Sequence, residues 1–175
     1  ESGIIQGQIL VEALEEDFAA VDRNGDGVIQ YVMLEGEAGH QDSIVRTMYA
    51  INTVTEAGYE VEKLADEIAN WNRDQAKTKM VQWMQEFGDG IEVVFANNDD
   101  MALGAADALE EAELEAAVFG IDATDVGLAG VADRKLWATI DCHSIQQGSM
   151  VFSIAAQLAA EEKISSEIPL TKQRY

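Results

Sequence analysis

The sequence predicts an α/β fold: a three-layer α/β/α sandwich on a doubly wound, mainly parallel sheet. Three observations carry this. Short apolar runs rich in Val, Ile and Phe alternate with longer amphipathic stretches, the pattern of a parallel sheet covered on both faces. At 175 residues, 47% hydrophobic and 25% charged, the chain has enough apolar content for one sizeable core. Polar clusters also recur where the apolar runs end, and folds of this class bind ligands beyond the carboxyl ends of their strands.

Taken in order, residues 3–21 predict an amphipathic helix with Ile4, Ile5, Ile9, Leu10, Ala13, Leu14 and Phe18 on one side, and Ser2 can cap it. A strand follows at 28–35, then a polar turn at 36–43. Asp42 or Ser43 caps a second helix running to about residue 57, with Ile44, Met48, Ile51 and Val54 on its buried side and Gly58 closing it. Residues 59–69 form the second strand, 70–72 a loop, and 74–87 a helix whose Trp83 belongs to the core. The third strand is 91–96, followed by a helix at 100–115, a strand at 117–121, a short helix at 124–133 and a fifth strand at 137–141. A last helix, 144–162, carries Ile145, Met150, Val151, Phe152, Ile154, Ala155 and Leu158, and the tail holds the only proline, Pro169.

The net charge of −22 argues against nucleic acid, whose affinity comes from cations meeting phosphates, and against anionic lipid. The single cysteine, Cys142, excludes an internal disulfide and reads as an inert thiol. No run spans a membrane. A chain opening on Glu1-Ser2-Gly3 without Met is expected to be processed or cut from something longer.

Residues 22–30 form the most specific stretch. Asp22, Asn24 and Asp26 supply oxygens at positions 1, 3 and 5, Gly27 stands at 6, Val28 offers a carbonyl at 7 and Gln30 an amide oxygen at 9. This is the pattern of a calcium loop, all oxygen donors around a hard cation with glycine at the sharp turn; the alternative is an Asp/Asn/Gly turn without metal. Position 12 is Met33 where a bidentate Glu belongs, and a strand follows where an EF-hand has a helix. Another part of the chain must supply the missing carboxylate.

The polar clusters converge on one rim. His40, Asp42 and Arg46 follow the first strand, Trp71 the second, Asn98 the third and Asp122 the fourth. Singly, Asp42 and Arg46 suit a helix-surface ion pair, and Asn98 and Asp122 suit helix caps. Together, planar hydrogen-bonding groups beside one indole suit a sugar, whose hydroxyls pair with carboxylate, amide and guanidinium while its apolar face packs on the ring. No phosphate-binding glycine loop is present, and no nucleophile stands beside a base, so no enzyme is expected.

These residues resemble the C-terminal lobe of bacterial periplasmic glucose/galactose-binding proteins, of the type I periplasmic binding protein fold, over nearly the whole chain. The likeness rests on Glu1-Ser2-Gly3-Ile4-Ile5-Gln6-Gly7, the loop 22–30, Gly39-His40-Gln41-Asp42 with Arg46, Asp74-Gln75-Ala76-Lys77, Ile91-Glu92-Val93-Val94 with Ala96-Asn97-Asn98-Asp99, and Phe119-Gly120-Ile121-Asp122. The resemblance implies sugar contacts from His40, Asp42, Arg46, Asn98 and Asp122, with Trp71 stacking on the ring. It implies a structural Ca2+ held by Asp22, Asn24, Asp26, Val28, Gln30 and Glu92, Glu92 answering the missing position 12. It further implies an extracytoplasmic receptor that presents galactose or glucose to an ABC permease or a chemoreceptor; a calcium-dependent interaction module that has lost transport is the alternative. On this reading 1–142 is the sugar-binding lobe and 143–175 crosses to an absent N-terminal lobe, so 144–162 is expected to pack back on this lobe or swap into a homodimer. Two departures stand out: Gln41 where the family has Pro, and Cys142, beside Asp141, where it has a sugar-binding Asn.

Overall fold

The computed structural model describes residues 1–159 and 173–174. Four parallel strands lie in the order β2-β1-β3-β4: β1 (Ile29–Glu35), β2 (Val61–Ile68), β3 (Val93–Ala96) and β4 (Ala117–Phe119). Residues 137–141 run parallel beside β4. There Trp137 N donates to Val118 O (2.7 Å), Gly120 N to Ala138 O (2.9 Å) and Asp122 N to Ile140 O (2.8 Å). The fifth position is therefore filled as expected, but only Ile140–Asp141 (β5) is regular strand, and it also pairs antiparallel with Gln173–Arg174 (β6).

Alternation along β1 sorts the two cores. Ile29, Tyr31 and Met33 face α1 (Ser2–Glu16) and α3 (Gln41–Glu56), while Val32 and Leu34 face α4 (Arg73–Phe87) and α5 (Asp99–Ala112). Trp83 is 3% exposed on the α4 side, in the core as predicted.

The first helix is shorter than the sequence suggested. Asp17 adopts an extended conformation (φ −151°, ψ 89°), ending α1 at Glu16 and leaving Phe18–Val21 as a separate turn, α2. Ser2 does not cap α1; it lies inside the helix and is buried.

The buried side of α3 also differs. Ile44 and Met48 are 55% and 44% exposed, while Ser43, Ala50 and Val54 are buried. The reason lies on α1. A Cβ at Gly3 or Gly7 would stand 2.5 Å from the carbonyl oxygen of Arg46 or Ala50, so the two helices touch backbone to backbone. So close an approach selects the small-residue face of α3 and turns its larger apolar residues out. Gly7→Ala is therefore expected to destabilise the chain by about 1–3 kcal/mol in urea unfolding, because a rigid carbonyl cannot yield. A rise in the urea midpoint, as helix propensity alone predicts, would refute that packing account.

The end of α3 matches expectation. Gly58 takes φ +95°, its N–H donates to Thr55 O (3.0 Å), and Tyr59 N donates to Val54 O (3.4 Å), the paired bonds of a Schellman close. A three-residue helical turn, Gly88–Gly90, leads towards β3, and α6 (Asp125–Ala132) starts from a Thr124 cap. The final helix, α7 (Ser144–Ala159), has no buried residue, and Ile145, Val151, Phe152 and Leu158 are exposed. The expectation that it packs back on this lobe is not met for its described residues. Among the described residues, no helix is long and apolar enough to cross a membrane.

Candidate functional site

Because the four strands are parallel, their carboxyl ends open on one side of the sheet, and the predicted rim residues meet there. His40 caps α3, its Nδ1 accepting from Asp42 N (3.2 Å). Arg46 lies one turn further, its side chain 12% exposed. Its Nη1 donates to Asn97 O (2.6 Å) and to Asp122 Oδ1 (3.4 Å), and its Nη2 stands 3.9 Å from Asp42 Oδ2. The Arg46 guanidinium also sits 5.8 Å from the centre of the Trp71 ring, within cation–π range.

Trp71 follows β2 in a left-handed conformation (φ +60°), with its indole against Gly36, where a Cβ would collide with the ring. The His40 ring meets the indole edge-on at 5.2 Å. Asn98 caps α5 through Met101 N (3.0 Å), while its Nδ2 reaches Trp71 O (3.4 Å). Asn98 is thus the α5 cap that its sequence position suits, and the same side chain lies at the rim beside Trp71.

Asp122 is where the electrostatics are unusual. Burial pushes its carboxyl up to about 6, the Arg46 charge opposes that rise, and Asp99 adds to it. Asp42 stays exposed, at a long contact to Arg46.

Further groups stand beside the six predicted contacts. Asn97 is fully buried, its Oδ1 accepting from Gly36 N (3.1 Å) and Ser43 Oγ (3.0 Å), so it ties β1, α3 and β3 together beneath Arg46. Its only sequence signal is the Asn97-Asn98 doublet at a strand end. Asp141 and His143 form a 2.8 Å pair that borders a cavity of about 370 Å³ with Asp122 and Leu128. Cys142, between them, receives a 3.8 Å contact from Arg46 Nη2.

The loop 22–30 lies at the opposite, amino-terminal end of the sheet. Asp22 accepts from Gly25 N (2.8 Å) and Gly27 N (3.0 Å), and Glu92 arrives from the start of β3. Glu92 accepts from Arg23 N (2.7 Å), Asn24 N (3.2 Å) and Gln30 N (3.1 Å). Gln30 donates to Asp26 Oδ2 (3.0 Å) and accepts from Asn24 Nδ2 (2.9 Å); Val28 N donates to Asp26 Oδ1 (2.8 Å). The donor set fits a hard cation in kind: every candidate atom is oxygen, and Asp22 and Glu92 are buried at 6% and 1% exposure. Among the described residues none of Asp22, Asp26 and Glu92 pairs with Lys or Arg. Their carboxylates instead face the loop's own donors, and no three acidic, His or Cys side chains among the described residues gather as a metal cluster.

A family model described as periplasmic binding protein domain matches residues 1–163. The chain belongs to the periplasmic binding protein family. Within that family, it is 36% identical over 160 residues to the D-galactose/methyl-galactoside binding periplasmic protein MglB of Haemophilus influenzae, covering 91% of this chain and 48% of that protein. It is 34% identical over 159 residues to a xylitol-binding protein of Mycolicibacterium smegmatis, covering 90% and 44%. An ABC transporter solute binding protein from Bacillus halodurans C-125, solved with bound myo-inositol, aligns with a TM-score of 0.81 at 30% identity, covering 100% of this chain and 57% of that one. This periplasmic binding protein chain thus spans about half the length of the curated relatives it matches.

Proposed function

We propose that this chain is the C-terminal, sugar-contacting lobe of an extracytoplasmic substrate-binding protein that serves an ABC importer, with D-galactose or D-glucose as ligand. The observation that carries the reading is the Arg46 cradle: a mostly buried guanidinium aimed between two carboxylates and a carbonyl, beside an indole plate. Arg46 donates to ring or hydroxyl oxygens, Asp42 and Asp122 accept from hydroxyls, Asn98 and His40 add further polar contacts, and Trp71 takes the apolar face. A hydroxyl absent from the ligand strands a partner, and that gives selectivity. The similarity to MglB favours galactose; xylitol and myo-inositol in the names of other relatives make polyols the competing ligands. The relatives are named for binding, and the reading assigns no catalysis.

In this reading, closure of a second lobe buries the sugar and creates the form that a permease, or a chemoreceptor, recognises. One lobe alone binds weakly, since half the contacts and the burial are missing. The exposed face of α7 is the surface through which a second copy would pair, readable as a dimer in light scattering. A structural calcium held by Asp22, Asn24, Asp26, Val28, Gln30 and Glu92 would offset two of the three carboxylate charges there and tie the loop to β1 and β3.

NMR titration with D-galactose, D-glucose, D-ribose and xylitol tests the sugar site. Trp71 and Arg46 resonances are expected to move with galactose at millimolar concentration; silence with every sugar sinks the proposal. The effect depends on pH in a defined direction. Ionised Asp122 accepts from a hydroxyl more strongly than the neutral acid does and keeps its charge against Arg46, so binding weakens as pH falls through about 6. Stability runs the other way: a carboxyl raised in the folded state contributes most below its unfolded value and loses that contribution as pH rises through about 6.

A further inference from the structure

Asp122 and Ala123 both hold positive φ, +121° and +49°, a conformation that costs energy for residues with a Cβ. Something must keep them there. The groups closing around this turn belong to Asp99, a carboxylate that is fully buried and outside the predicted sugar contacts. Asp99 Oδ2 accepts from Thr124 N (2.8 Å) and Thr124 Oγ1 (2.9 Å), and Oδ1 accepts from Thr139 Oγ1 (2.5 Å). The same Thr139 hydroxyl accepts from Ala123 N (3.1 Å), so the turn is held on both sides.

Two glycines leave room for this arrangement. A Cβ at Gly120 would lie 2.5 Å from Asp99 Oδ1, and one at Gly127 would collide with the same carboxylate. Asp99 is also the first residue of α5, and its side chain reaches the start of α6, where the helix dipole favours negative charge. One carboxylate thus links the β3 end, which presents Asn98, to the β4 end, which presents Asp122.

We propose that Asp99 is a positioning residue of the rim: through Thr124 and Thr139 it clamps the Asp122–Ala123 turn in its left-handed form and so fixes Asp122 against Arg46. Its bearing on ligand binding rests on the sugar reading of the rim; the clamp itself does not. Burial raises the Asp99 carboxyl while the threonine bonds lower it, and its charge in turn raises Asp122.

Two variants test the clamp by NMR without any sugar, so its failure and that of the sugar reading show separately. Thr139→Val keeps the Asp99 charge and removes the hydroxyl between Asp99 and Ala123. Asp99→Asn keeps the shape and removes the charge. The readouts are the amide-to-Hα cross-peak of Ala123, which is strong when φ is positive, and the carboxyl titration of Asp122. The Ala123 cross-peak is expected to weaken in both variants, and the Asp122 midpoint to fall in Asp99→Asn. The Gly58 amide, remote at the end of α3, reports that the fold is intact. A wild-type cross-peak at Ala123 in Thr139→Val, with Gly58 unmoved, overturns the clamp, and that variant decides alone if Asp99→Asn does not fold.

Discussion

Arg46→Ala is expected to remove measurable galactose binding from this chain and to raise the Asp122 carboxyl further. Arg46 is the single cation of the cradle, and hydrogen bonds from a charged donor contribute about 1.5–3 kcal/mol, roughly ten- to hundredfold in affinity. A lobe that starts weak then falls below detection. The stability cost is smaller. The Asn97 carbonyl loses its 2.6 Å charged donor, but Asp122 is 36% exposed at the side chain and water takes over much of its interaction. A loss of about 1–2 kcal/mol is the expected balance. The opposed shifts of Asp122 give the sharper check: up without Arg46, down without the Asp99 charge. Arg46→Lys keeps the charge but loses the planar fork, so it is expected to hold the Asp122 titration near that of wild type while still weakening the sugar. Wild-type galactose binding by Arg46→Ala would refute the cradle.

The inner strands were legible because strands buried on both faces read as apolar runs, as in β3 and β4, while the exposed edge strand β2 carries charged residues. Alternation with helices marked Val93–Ala96 and Ala117–Phe119 as parallel strands, while their order beside β1 is read from the structure. Helix faces were less legible. Periodicity assigned Ile44 and Met48 to the core, yet what decides the α1–α3 contact is the absence of side chains at Gly3 and Gly7, which an apolar pattern does not register. Asp17 hides in the same way, as a polar residue on a helical stripe that in fact ends the helix.

The rim was legible as a location before it was legible as a mechanism. Strand ends gave His40, Asp42, Arg46, Trp71, Asn98 and Asp122, and the structure brings all six to one side. What sequence could not supply is the layer below. Asn97 and Asp99 look like further members of a polar run, but both are fully buried and hold the backbone on which the exposed members stand. His143 escaped notice, and its pairing with Asp141 with it, because two residues two apart have no spacing signature; the structure joins them across a left-handed turn at His143 (φ +51°).

Glu92→Gln is expected to be the most damaging change at the other end of the sheet. The charge is not simply diluted. Glu92 accepts three backbone N–H groups, and an amide can accept from the Arg23 and Asn24 side but presents an N–H to Gln30 N. One buried donor then faces another, at a cost of about 1–3 kcal/mol before any metal is considered. A cation bound in this loop would add a second, separable effect. With calcium at a thousand times its Kd, a site present only in the folded chain contributes about 4 kcal/mol, roughly 10 °C in Tm for a domain of this size. Glu92→Gln removes the carboxylate that joins β3 to the loop, so most of that calcium-dependent shift should vanish while the calcium-free Tm falls as well. Melting both forms with calcium and with chelator separates the two contributions. An equal calcium shift in wild type and variant would show that Glu92 is no ligand; no shift in either would leave the loop a turn held by its own hydrogen bonds, with Glu92 as its buried anchor.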